Sequence, residues 1–576
     1  MSGPPEIALT YSSAALVALV RDFDRDANAA RKLIRDILQF EPETFYSTTI
    51  EILKNGVDSP GARFLVTLLV SQNLLFRALC DPALNREQAL ALARRAVVID
   101  PVVDAALARQ LADATVTSPD LSGLGEASRL MDILGEVSNG PRILPSLMRM
   151  LRNSDSRVRS KAVLMIGHGN RSVKWIRSRL EETDARVRAN AVEALWGMEG
   201  EEARELLDIA SRDSNNRVAG NAVLGLYLMG ETSALGELVK MASHTLPLFR
   251  TSAAWVMGQS GDMRFSEILG RMLADTDGLV RKTAFAAVRR IRAAVAQVSQ
   301  STQWHLAGFS SPRDPRGGQR RVQVALVTAD SRETPRVLPV QFILSEDGQP
   351  VWSYRVSERA APESMSVIFL LPRGGFHDLA PWNQGALRCL NWRRPTDLWC
   401  TVPYFSPDDI PLEIYPNLEP AVFTANAELA AAFFEQPPKW SDCSLFWGAV
   451  ERSVDIGNGP VRGKRHMIVL APVDIGKAAN DTVIAAVHAS RTSVQVVSTV
   501  PNPALREFCG RTGGHFLLVE DKPDAIMQQI SLAYLSLLAR YEIRYQSVCP
   551  DATALKLRVQ TPVGWGETTV PFPSAG

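Results

Sequence analysis

Val158-Arg-Ser-Lys-Ala162, Val187-Arg-Ala-Asn-Ala191, Val218-Ala-Gly-Asn-Ala222, Phe249-Arg-Thr-Ser-Ala253 and Val280-Arg-Lys-Thr-Ala284 are five copies of one pattern, spaced 29, 31, 31 and 31 residues apart. Eight residues after each opening residue stand Ile166, Leu195, Leu226, Met257 and Val288. Positions 0, 4 and 8 lie on one side of an α-helix, so each copy carries one apolar stripe. The alanine at position 4 lets neighbouring helices approach closely, and Asp155, Asp184 and Asp277, three residues before an opening residue, suit helix N-caps. Between copies, stretches such as Ile143-Leu-Pro-Ser-Leu-Met-Arg-Met-Leu151 and Phe265-Ser-Glu-Ile-Leu-Gly-Arg-Met-Leu273 read as second amphipathic helices. A single helix pair cannot bury its own stripe, whereas stacked pairs can, and the pattern predicts a helical solenoid over residues 121–300.

Upstream, from residue 10 to about 115, apolar residues also recur at three and four spacings, broken at Glu41-Pro42, Asp58-Ser-Pro-Gly61, Asp81-Pro82 and Asp100-Pro101. Residues 1–120 therefore read as an irregular helical-repeat region. The run Asp-x-x-Val-Arg-x-x-Ala followed by an apolar residue resembles the HEAT-repeat pattern in its short bacterial form. The resemblance implies an α-solenoid and protein binding as the usual role, with bilin lyases and alkylpurine-DNA glycosylases as enzymatic relatives.

At 576 residues the chain is too long for a single core, and 46% apolar with 22% charged residues fits soluble globular domains. The formal net charge of +1 conceals a basic solenoid: residues 141–292 hold 24 Lys or Arg against 17 Asp or Glu, an excess of seven. Arg159, Arg188, Arg250 and Arg281 recur at position 1 of their copies and form a row along the stack. That row either contacts phosphates of a nucleic acid or pairs with the repeats' own acids as a bracing ladder, the second being the more ordinary use of repeated charge. The six cysteines are scattered without a Cys-x-x-Cys pair, as in reduced cytosolic proteins, and Ala14–Val20 is too short and lacks the basic lead of a signal peptide. A cytoplasmic location without membrane attachment is expected.

After Arg292 the helical pattern ends, and 301–320, with Ser310-Ser-Pro-Arg-Asp-Pro-Arg-Gly-Gly318, reads as a linker. Residues 321–360 then alternate as strands, 361–540 alternate strands with helices, and 541–576 return to period two. This order predicts a mostly parallel, Rossmann-like α/β sheet, with the β-tail packing against 321–360. Leu344-Ser-Glu-Asp-Gly348, Lys464-Arg-His-Met-Ile-Val-Leu470, Thr512-Gly-Gly514 and Tyr541-Glu-Ile-Arg-Tyr545, in this order, resemble von Willebrand factor type A domains, nearest the variant common in acidobacterial proteins, over residues 320 to 572.

That family usually holds Mg²⁺ through Asp-x-Ser-x-Ser, a distant Thr and a later Asp, since a hard cation wants oxygen ligands. Here Pro372, Arg373 and Gly374 follow the first strand, Cys443 stands at the threonine position, and Pro472 occupies the later site, leaving Asp474 as the one carboxylate nearby. The resemblance so altered implies a type A domain without metal or other cofactor, in which Arg373 is either a candidate contact for a partner carboxylate or a solvated loop arginine, the second being the more ordinary. Gly459-Pro-Val-Arg-Gly-Lys464 has the wrong spacing for a phosphate loop, and neither His-Glu-x-x-His nor Gly-x-Ser-x-Gly occurs. Trp382, Trp392, Trp440 and Trp447 are either interface or core residues. The expectation is a non-enzymatic scaffold for protein partners, with nucleic-acid binding or DNA repair, and then bilin-lyase-like chemistry, as alternatives.

Overall fold

The computed structural model describes residues 12–54, 59–81, 84–117, 121–138, 140–310, 318–328, 336–359, 364–373, 378–405, 423–435, 444–456, 463–476 and 478–572. It divides into two compact units, Met1–Ser260 with Ile268–Val288, and Gly261–Glu267 with Arg289–Gly576.

Among the described residues, the first unit is built of helices and their connections. Its opening helices are α1 (Ser13–Arg21), α2 (Ala27–Phe40), α3 (Pro42–Lys54), α4 (Pro60–Ser71), α5 (Leu74–Cys80), α6 (Arg86–Ile99), α7 (Val103–Thr117) and α8 (Leu121–Val137). The breaks read from the sequence are their caps. Ser59 accepts the Ala62 N–H at 3.1 Å with Pro60 at the first helical position, and Asn85 with Gln88 closes a capping box at 2.9 and 3.1 Å.

The repeats follow as α9 (Leu144–Met150), α10 (Ser156–Asn170), α11 (Val173–Leu180), α12 (Ala185–Glu193), α13 (Glu201–Ala210), α14 (Asn216–Leu228), α15 (Ser233–Ala242), α16 (Pro247–Ser260), α17 (Ser266–Met272) and α18 (Gly278–Ser299). The motif helices α10, α12, α14 and α16 pack each on the next. Asp155, Asp184 and Asn215 cap α10, α12 and α14, and Asp277 accepts the Leu279 and Val280 N–H groups at the start of α18. Positions 0, 4 and 8 are buried in nearly every copy, with Ala162, Ala191, Ala222, Ala253 and Ala284 each at 0% exposure. Contact is close enough that a methyl added at Gly258 would lie 2.8 Å from Ala287 Cα. One buried cluster runs from Leu16 through Leu134 to Ile166, so the core of the irregular N-terminal helices continues into the first repeat. Helix α18 extends past Arg292 to Ser299, because Ala293-Ala-Val-Ala-Gln-Val298 contains no helix breaker.

The second unit contains two sheets. Its elements are β1 (Thr302–Ser310), β2 (Gln319–Thr328), β3 (Phe342–Glu346), β4 (Gln349–Pro350), β5 (Tyr354–Glu358), β6 (Met365–Arg373), α19 (Ala380–Cys389), β7 (Leu398–Phe405), α20 (Ala427–Glu435), β8 (Ser444–Leu445), α21 (Phe446–Ile456), β9 (Lys464–Ala471), α22 (Asp481–Ala489), β10 (Ser493–Ser498), α23 (Pro503–Thr512), β11 (His515–Leu518), α24 (Pro523–Leu537), β12 (Tyr541–Gln546), β13 (Ala554–Gln560) and β14 (Gly564–Pro571).

The six-stranded sheet has the order β11-β10-β9-β6-β7-β8 with every pairing parallel. This is the doubly wound, Rossmann-like order that the type A resemblance implies. Both faces are covered, so β6 is apolar continuously: Ile368 and Leu370 join a core with Phe446, Val483 and Phe508, while Val367, Phe369 and Leu371 join one with Trp382, Trp399 and Tyr534.

The other sheet has the order β4-β3-β13-β14-β1-β2-β12-β5, so the tail strands β12, β13 and β14 interleave with those preceding the parallel sheet. Residues 301–320 are not a linker throughout. Thr302–Ser310 forms β1, antiparallel to β2 from Trp304↔Thr328 to Ser310↔Val322, with Trp304 and Ala307 buried. Its second partner, β14, lies far away in sequence, which is why local composition hid the strand.

Two buried charges organise this unit. Glu346 accepts hydrogen bonds from Tyr545 Oη at 2.9 Å, Ser547 Oγ at 2.8 Å and the Val548 and Cys549 N–H groups at 2.9 Å, with Arg320 Nε at 3.6 Å. Arg264 is held by Asp262 at 2.6 Å and donates to Phe342 O at 3.1 Å and Tyr354 Oη at 2.9 Å.

Candidate functional site

The recurring arginines have a repeated geometry. In each of the four copies that carry an arginine at position 1 the guanidinium turns back onto two carbonyls five and six residues earlier: Arg159 Nη1 donates to Asn153 O and Ser154 O at 2.9 and 2.7 Å, and Arg188 Nη1 to Glu182 O and Thr183 O, both at 2.9 Å. Arg250 Nη1 likewise reaches His244 O and Thr245 O at 2.8 and 3.0 Å, and Arg281 Nη1 reaches Asp275 O and Thr276 O at 2.7 and 3.0 Å. These are carbonyls left unpaired where a preceding chain segment ends, which a cation satisfies well.

The other edge of the guanidinium points to an acid of the following copy. Arg188 grips Asp213 at 2.9 and 3.1 Å, Arg250 grips Asp275 at 2.7 and 2.8 Å, and Arg159 stands 3.6 Å from Asp184. Hydrogen bonding by Arg250 holds Asp275 down to about 2. Burial raises the Asp213 carboxyl, but the Arg188 guanidinium and the Asn215 N–H outweigh it and leave Asp213 below the usual carboxylate range. In the third copy position 1 is Ala219, and the place of its acid is taken by His244, so both partners of that rung are replaced together. These four arginines are thus internal braces, three of them paired with an acid of the next copy.

Sequence reasoning passed over the residues two positions earlier. Position −1 reads Arg157, Arg186, Arg217, Leu248 and Leu279, and all five are exposed. Among the described residues, no hydrogen bond or ion pair engages the guanidinium of Arg157, Arg186 or Arg217. The register that exposed the stripe at 0, 4 and 8 contained this signal, since position −1 falls on the opposite side of the helix from position 1. Lys161, Leu164, His168 and Glu193 line a cleft of about 570 Å³ with Arg86, Asp132 and Glu136. Burial raises the Glu193 carboxyl above its ordinary value, against the pull of Arg217, His168 and Lys161.

At the carboxyl edge of the parallel sheet, Pro372 is buried and Arg373 ends β6 opposite Phe405. The Arg373 side chain, Gly374 and Cys443 lie outside the described residues, as does Trp440. Pro472 is half-buried. Asp474 is exposed and accepts the Gly476 N–H at 3.1 Å, an ordinary turn contact. Trp382 is buried, and Trp447 packs on Phe446 and Phe508 at 4.7 and 5.2 Å between ring centroids.

Residues 203–289 match the HEAT repeats family. Among solved structures, a von Willebrand factor type A protein from Catenulispora acidiphila is similar at 9% identity and a TM-score of 0.25, covering 48% of this chain and 75% of that one. Human deoxyhypusine hydroxylase is similar at 15% identity and a TM-score of 0.22, covering 44% and 99%. A designed armadillo repeat protein is similar at 18% identity and a TM-score of 0.18, covering 32% and 99%. No curated protein matches the chain in sequence.

The second unit has a cleft of about 830 Å³ lined by Trp304, His305, Arg388, Trp392, Asp524 and Glu567, among others. Trp392 meets His305 edge-on at 5.7 Å. Among the described residues, no three His, Cys, Asp or Glu side chains gather as a metal-binding group, and no single helix is long and apolar enough to cross a membrane.

Proposed function

We propose that this protein is a non-enzymatic scaffold in which the helical repeats bind a protein partner and the type A-like α/β region, working without metal, offers a second binding surface. The observation that carries this reading is the division of labour within each repeat. In three copies the arginine at position 1 pairs with an acid of the next copy, while position −1 faces solvent in all five copies. Braced repeats present an extended surface whose residues keep a fixed spacing, which suits recognition of another macromolecule. The altered residues Pro372, Pro472 and Cys443, at places where a hard cation wants oxygen, favour protein contact over metal-dependent adhesion.

A nucleic-acid-binding solenoid was the main alternative, resting on Arg159, Arg188, Arg250 and Arg281. The side chains of Arg188 and Arg250 are only 17% and 15% exposed and are already paired, which favours the scaffold reading over that alternative. Purifying the tagged chain from its own cells at near-physiological salt, with and without nuclease, tests the proposal. A discrete protein retained after nuclease treatment supports it. Recovery of nucleic acid that dissociates steeply with salt, and of no protein, sinks it.

A further inference from the structure

Resting on the scaffold reading, we propose that position −1 of the five repeats is a docking line for one extended segment of a partner protein, acidic over its first half and aliphatic over its second. Arg157, Arg186 and Arg217 are three exposed guanidinium groups that the fold does not use, in contrast to the braced arginines two residues later in the chain. Lys161, on the same side of α10 as Arg157, is already paired with Asp132, so the free positive charge of this end rests on the three arginines. Glu193 is an acid close to Arg217, and burial raises its carboxyl while Arg217 pulls it down. The line then changes chemistry. Leu248 and Leu279 are 57% and 52% exposed, and Leu246 beside them is 55% exposed.

Charge complementarity selects an anionic partner for the first three copies, and the switch to leucine selects what kind. A nucleic acid carries phosphate along its whole length and would set charge against Leu248 and Leu279, where only apolar groups gain from burial. A polypeptide can be acidic in one stretch and aliphatic in the next. Packed helices stand about 8–10 Å apart, and a polyproline II-like extended chain advances about 3.1 Å per residue with three residues per turn, so carboxylates at every third residue share one side and match the arginines. Five positions span roughly 40 Å, or about a dozen residues of extended chain.

The test uses the full chain and fluorescein-labelled peptides about that long, with glutamate at every third position in one half, leucine at every third position in the other, and serine elsewhere, in both sequence directions. Fluorescence anisotropy should show binding of one direction. R186E/R217E should weaken it roughly tenfold, and L248D/L279D severalfold, with circular dichroism unchanged in both variants. The proposal is overturned if neither peptide binds, or if binding is the same in both variants. It is also overturned if a single-stranded oligonucleotide of equal length binds more tightly than either peptide and is indifferent to L248D/L279D, which would assign the arginines to nucleic acid. A cellular protein retained equally by wild type and R186E/R217E would leave the scaffold reading standing while removing this docking line.

Discussion

Truncating Arg188 tests the bracing directly. Arg188→Ala removes two charge-assisted hydrogen bonds to Asp213 and two to the carbonyls of Glu182 and Thr183. Each such bond contributes about 1 kcal/mol net, and partial solvent access reduces the sum to about 2 kcal/mol. Because stability in a repeat array is shared between neighbours, the loss should appear where the second and third copies meet. Hydrogen exchange at the amides of α12 and α14 should therefore accelerate about thirtyfold, the equivalent of about 2 kcal/mol. Arg157→Ala is the control, since an exposed, unpaired side chain should change exchange by less than about 0.5 kcal/mol. A double-mutant cycle with Asp213→Ala should give a coupling of about 1 kcal/mol. If exchange in α12 and α14 is unaltered by Arg188→Ala, or altered equally by Arg157→Ala, the arginines at position 1 are not braces and the division of labour is wrong.

Glu346→Leu should destabilise the second unit by about 3–5 kcal/mol in urea unfolding, because it strips the partner from buried Arg320 and leaves the Tyr545 hydroxyl and two N–H groups unmatched; a change below about 1 kcal/mol would contradict the buried network. Burial, with help from Lys464, pushes His466 down to about 4, so the imidazole is neutral in the fold. The unfolded chain then binds the extra proton between pH 6.5 and 4, and stability should fall by about 3 kcal/mol as pH drops through that window, a slope that His466→Gln should remove. Cys80, Cys389, Cys400 and Cys509 are buried, and burial pushes Cys400 and Cys509 up to about 12. In a Cys443→Ser background a thiol reagent should accordingly find one fast site, Cys549, in the native chain and five after unfolding. Millimolar Mg²⁺ should leave the melting temperature unchanged; a rise that Asp474→Asn abolishes would show that the altered type A site collects a cation after all.

The helical repeats were legible because their information is local. Each stripe, each N-cap and each connecting helix is written within about thirty consecutive residues, and the constant interval tells which residues are equivalent. The parallel sheet was legible for a related reason, since a strand buried on both faces, such as Val367–Leu371, is an apolar run flanked by helices. Strand β1 was missed because the Pro- and Gly-rich stretch after Ser310 dominated the reading, and because what makes Thr302–Ser310 a strand is its partners β2 and β14 rather than its own propensity. Arg264 gave no signal at all: its acceptors Phe342 O and Tyr354 Oη lie about eighty to ninety residues further on.

The sequence by itself determined that this chain has HEAT-like helical repeats followed by a doubly wound α/β region, because hydrophobic periodicity and repeat length are properties of consecutive residues. Which of two arginine rows meets solvent was decided only by the stack. Positions 1 and −1 are about 200° apart around a helix, and one of them comes within reach of an acid, twenty-five residues on, only when the next copy is in place. Pairing consumed Arg188 and Arg250, while Arg157, Arg186 and Arg217, equally basic in the sequence, were left to face outward.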